Sequence, residues 1–117
     1  MPEKLKFGLP FLLETATVEE AVSLASKLGL AFVELNSNFP PCLIDELDTK
    51  ELLQYQAKTG LFFTYHLDDH LNFLDFNPLV QEASIRTVLD AIALAKSANF
   101  KLLNLHFPRG GVVTLPD

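Results

Sequence analysis

The chain has 117 residues, 49% of them hydrophobic and 21% charged, which accommodates one globular domain with a core and no more. Its net charge is −6 with no Lys/Arg cluster, so the composition speaks against a phosphate-backbone partner such as nucleic acid. No apolar run approaches the ~18–20 residues that cross a bilayer, the start MPEKLKF lacks a signal core, and a single cysteine leaves no internal disulfide, all of which predicts a cytoplasmic, reducing setting without a membrane.

Lys4–Leu9 reads as a first strand closed by Pro10. Thr17-Val18-Glu19-Glu20 has the form of a capping box, and Val18, Ala21, Val22, Ala25 and Leu28 recur at helical spacing before Gly29 stops the helix. Leu30–Asn36 is a second strand. Ser37–Leu47 is a proline-containing loop in which Cys42 follows Pro40-Pro41 without a basic partner to activate its thiol. Asp48-Thr49-Lys50-Glu51 opens a second helix that runs to Thr59 and ends at Gly60. Leu61–His66 is the third strand. Asn77 caps a third helix with Pro78 at its first position. Its predicted buried stripe is Ile85, Val88, Leu89, Ile92 and Ala95, with Glu82, Arg86 and Asp90 on the opposite, solvated side. Lys101–His106 is the fourth strand.

The two histidines that close the third and fourth strands, His66 and His106, lie forty positions apart. That separation suits two parallel strands joined by a helical crossover. One parity of each strand is apolar throughout: Phe7 and Leu9, Val33 and Leu35, Phe63 and Tyr65, Leu103 and Leu105. The other parity turns polar toward the C-terminal end, as Phe32-Glu34-Asn36, Phe62-Thr64-His66 and Leu102-Asn104-His106. Strands buried under helices on both faces would be apolar on both. A column that is bulky below and polar above instead matches the lumen of a parallel (β/α)₈ TIM-type barrel. Such barrels take ~250 residues; four strands and three helices therefore predict that residues 1–117 form an N-terminal half-barrel, with Leu115-Pro116-Asp117 approaching a fourth helix. A doubly wound sheet is the competing arrangement.

On His66, Asn72-Phe73, Arg86 in a long helix ending Ala-Lys, the strand Leu102–His106 and Glu34 in Phe32-Val33-Glu34-Leu35, the chain resembles the xylose-isomerase-like barrel superfamily. That superfamily joins sugar-phosphate isomerases and epimerases with AP endonucleases of the endonuclease IV type. The resemblance implies a divalent metal (zinc, manganese or magnesium) whose ligands include residues of a missing second half. In the endonuclease branch the positions of His66 and His106 are zinc ligands. In the isomerase branch the first half mostly lines the sugar pocket. Glu34 is then the expected proton-transfer carboxylate, and Asn36, His66, Asn104 and His106 the expected contacts to a sugar or sugar phosphate.

Each residue also has a plainer role. His66 and His106 could be structural, Glu34 could pair with Lys6, and Asn36 and Asn104 could serve a hydrogen-bond network. His70 makes a His66-x-x-x-His70 spacing, but in a loop rather than on a helix face. Asp68, Asp69 and Asn72 are expected to shape that loop by bonding to its backbone. Gly110-Gly111 lacks the strand–turn–helix setting of a nucleotide site. Three functions follow from the sequence: a sugar isomerase or epimerase half-barrel, an AP-endonuclease-like zinc phosphodiesterase, and a half-barrel without catalysis of its own. All three expect association, either with a second copy or with a complementing C-terminal half.

Overall fold

A computed structural model describes residues 2–108. The expectations for Gly110-Gly111 and Leu115–Asp117 lie outside them. Four strands, β1 (Gly8–Pro10), β2 (Phe32–Asn36), β3 (Phe62–His66) and β4 (Leu102–Asn104), form one parallel sheet in the order β1-β2-β3-β4. Three helices, α1 (Val18–Lys27), α2 (Thr49–Thr59) and α3 (Pro78–Ala98), alternate with them. Short 3₁₀ turns at Leu13–Thr15 and Pro40–Cys42 break the two loops that the sequence left irregular.

Local chemistry sets the helix ends. The Thr17 hydroxyl accepts the Glu20 amide at 3.1 Å, half of the expected box, while the Thr17 amide donates to the Thr15 carbonyl. Asp48 accepts the amides of Lys50 and Glu51; Glu51 turns away from the cap and takes the Tyr55 hydroxyl at 2.6 Å. Asn77 accepts the Leu79 amide ahead of Pro78. Gly60, at φ 74°, ends α2 in the left-handed conformation that costs a side chain dearly.

Val33, Leu35, Phe63 and Tyr65 are fully buried against Ala21, Val22, Ala25, Leu52, Ala91, Leu94 and Ala98 of the helices. The apolar parity is therefore the helix-facing one, as the barrel pattern requires. On the other face the Phe32 and Phe62 rings stack at 5.0 Å, and Lys6 lies 5.8 Å over Phe62.

The structure corrects three expectations. β1 starts at Gly8 rather than Lys4, and Phe7 is exposed. β4 ends at Asn104, because its ladder stops where β3 does, at the pair His66–Asn104; His106 stands two residues beyond it. The buried residues of α3 are Ser84, Ala91, Leu94 and Ala98, and Val88 of the expected stripe packs against the core with them, whereas Ile85, Leu89 and Ile92 are exposed. Small residues let α3 approach the sheet closely, and the larger aliphatics are left on its flank. The exposed Arg86–Asp90 pair at 3.9 Å agrees with the solvated row.

Candidate functional site

The parallel register puts the polar residues into rows across the C-terminal edge of the sheet. Asn36, His66 and Asn104 are mutual strand partners, and Glu34 with Thr64 forms the row beneath. β4 is staggered by two residues against β3, since Leu102 sits opposite Thr64 rather than Phe62. A stagger of this kind is what a closing barrel needs. It also carries His106 above the His66 row.

His66 and His106 nevertheless meet. Their Nε2 atoms are 3.0 Å apart and their ring centroids 4.9 Å apart. His66 Nδ1 lies 2.8 Å from the Leu67 carbonyl oxygen, which can only accept, so Nδ1 carries the ring proton and Nε2 presents a lone pair. The His66 side chain is 12% exposed, against 62% for His106. One imidazole is thus fixed in the wall and the other reaches it from the rim.

Asp69 joins them, a residue whose expected task was loop shaping. Its Oδ1 is 3.3 Å from His106 Nε2 and 3.9 Å from His66 Nδ1. The loop that carries it is tied to the end of β2: Ser37 donates to Asp68, and the Asp69 amide donates to Asn38 Oδ1 at 3.1 Å. Asn38 is itself held by Asn36 Oδ1, so Asn36 serves the loop network. Asn72 does shape the loop as expected, accepting the Leu74 amide and donating to Asp75. Asp68 and Asp69 depart from that expectation, because strand pairing brings the β2 and β3 loops side by side. The available sequence signal was His66-x-x-Asp69, too short and too common to single out.

One ligand atom from each of His66, Asp69 and His106 lies within 4.8 Å of the others, a donor set that fits a divalent transition ion. His70 lines the adjoining cleft of about 440 Å³ with Asn72, Phe107 and Pro108 but is not in the cluster. A larger cleft of about 610 Å³ opens between α1 and α2, lined by Thr17, Pro40 and Tyr55 and away from the histidines. Its acidic lining of Glu19, Glu46 and Glu51 offers no comparable mixed donor set.

Glu34 is half-buried and forms no salt bridge among the described residues; Lys6 pairs instead with Glu3 at 3.9 Å. Beside it Thr64 is buried, and its hydroxyl has no hydrogen-bond partner among the described residues. A buried hydroxyl without a partner marks a place where water or a ligand group would be satisfied. Behind the rim, Cys42 is fully buried, and burial pushes its thiol up to about 11, which leaves it inert. Burial likewise raises Tyr65, whose hydroxyl donates to the Cys42 carbonyl at 2.8 Å.

No family model matches the chain, and no curated protein matches it. Among solved structures it is similar to a D-tagatose 3-epimerase-like protein, with a TM-score of 0.70 and 15% identity over 85% of this chain and 36% of that one. It is also similar to a D-psicose 3-epimerase studied in the presence of D-fructose, with a TM-score of 0.68 and 14% identity over 86% of this chain and 37% of that one. The chain spans about a third of the length of these structures. At such identity the likeness is one of fold: an α/β arrangement of four parallel strands and three helices that corresponds to part of a TIM-type (β/α)₈ barrel.

Proposed function

We propose that this chain supplies one wall of a sugar or sugar-phosphate isomerase or epimerase pocket, as the N-terminal half of a TIM-type barrel. The observation that carries the reading is the polar row Asn36–His66–Asn104, with Glu34 beneath and His106 above, on a fold shared with two sugar 3-epimerase-type structures. Asn36 and Asn104 would hold sugar hydroxyls, which match amide donors and acceptors. Glu34, unpaired and half-buried, would take or return the proton at the carbon beside the carbonyl. His66 and His106 would hold a divalent metal (zinc, manganese or magnesium), with further ligands from the remainder of the barrel. Such an ion polarises a carbonyl or hydroxyl oxygen as a Lewis acid. The stacked Phe32 and Phe62 would close the pocket floor against water. The reading includes a cytoplasmic setting and a partner in the form of a second copy or a complementing C-terminal half.

Titration of the isotopically labelled chain with D-fructose and its phosphate, followed by NMR, tests this. Shifts are expected at Asn36, Asn104 and Glu34, reduced in Asn104→Ala. Shifts confined to the α1–α2 cleft, or none, would overturn the reading. The chain alone should form no epimer. A second reading, an AP-endonuclease-like zinc phosphodiesterase, is favoured by the facing imidazoles but opposed by the charge of −6. A half-barrel without catalysis of its own is the third, and it is compatible with the first, since supplying a pocket wall does not require this piece to work alone.

A further inference from the structure

We infer that Asp69 is a metal ligand, and that with His66 and His106 it makes a site for a borderline divalent ion such as zinc or cobalt complete within this chain. The inference rests on His66 and His106 being metal donors, as proposed above, and departs from the expectation that a second half must supply the remaining ligands.

Three observations carry it. First, two imidazole nitrogens each about 2.0–2.1 Å from one ion stand about 3 Å apart at the angles of a compact coordination sphere, and the Nε2 atoms are 3.0 Å apart. Second, the Leu67 carbonyl fixes the His66 ring so that Nε2 carries the lone pair, which is the outer support that metal-bound histidines use. Third, Asp69 does not reach the pair by chance of a free side chain. Its amide is held by Asn38 and the neighbouring Asp68 by Ser37, so the β2 loop fixes the segment that delivers the carboxylate. Two imidazoles with one carboxylate, at an exposed rim, form a set that leaves coordination positions open. Imidazole donors favour zinc, cobalt, nickel or iron(II) over magnesium, which prefers an all-oxygen shell.

The probes are zinc and cobalt(II), with magnesium for contrast, added to the metal-free 117-residue chain in a competition assay against a chromophoric chelator. One equivalent of zinc should bind, cobalt(II) should give visible d–d bands, and magnesium should not compete. Outer-shell partners are worth about 10- to 100-fold in affinity, so losing a direct ligand should cost about 100-fold. Asp69→Asn and His106→Ala change exposed groups and should show that loss with unchanged circular dichroism. His70→Ala should bind as the parent does. Asp69→Asn binding zinc like the parent, His70→Ala losing as much as Asp69→Asn, or no zinc uptake would each overturn the inference. Ketose binding is read separately by NMR. Zinc held by these three residues with no ketose binding would sink the proposed function alone, and ketose binding without zinc would sink this inference alone.

Discussion

A Cβ at Gly8 would run into the Phe32 ring, and that ring cannot simply swing aside because it is stacked on Phe62. Gly8→Ala should therefore destabilise by about 1–3 kcal/mol in urea unfolding, and Phe32→Leu in the same chain should recover part of the loss. Gly8 is the register partner of Phe32, so the ring lies across the place that a side chain would take. Cys42 gives a prediction in pH. Its folded-state value of about 11 stands above an ordinary 9.0, so between these values the folded state holds a proton that the unfolded state has released. The stability it contributes is fully present below about pH 9 and is lost as pH rises toward about 11. Cys42→Ala should flatten that alkaline decline relative to the parent, and thiol reagents should leave the native chain untouched at pH 8. A parent and variant with parallel alkaline profiles would contradict it.

At the scale of elements, what depends on neighbours in sequence was legible and what depends on neighbours in space was not. Thr17, Asp48, Asn77 and Gly60 act within one turn of their own helix, so their roles could be read off directly. α3 is apolar on two sides, and periodicity alone does not say which of them the sheet covers, so Val88 is legible as a core residue but Ile85, Leu89 and Ile92 are not legible as exposed. Strand parity was legible for the same local reason, but register was not. The two-residue stagger of β4, and hence the height of His106, is set by pairing with β3. Asp69 was missed on that account too, since its place depends on loops brought together by β2 and β3. The α3 assignment can be measured. Leu94→Ala should cost about 2–5 kcal/mol, as deleting a buried leucine does. Leu89→Ala, with 56% of its residue surface exposed, should stay below about 1 kcal/mol. Equal losses at the two positions would mean that the flank of α3 is covered in solution.

On the scale of the whole molecule, the sheet has two edges whose outer sides carry no strand among the described residues, β1 and β4. Unpaired backbone along such edges is a template for association. The apolar surface beside them is large. Leu102 on β4 is 57% exposed and Phe7 before β1 is 69% exposed, and Ile85, Leu89 and Ile92 of α3 continue it on one side. At ~25 cal/mol per Å² of apolar area, leaving several large side chains in water forfeits several kcal/mol. A domain's whole stability is only ~5–15 kcal/mol, so a chain left in this state has little margin. Covering both edges would recover the loss, and a closed barrel does so by pairing every strand on both sides. The chain alone should therefore associate at micromolar concentration, or melt without a cooperative transition. Sedimentation velocity across a concentration series, with calorimetry on the same samples, separates the possibilities. A concentration-independent monomer that unfolds in one sharp transition would show that the four-strand unit stands by itself, and the half-barrel interpretation would fall.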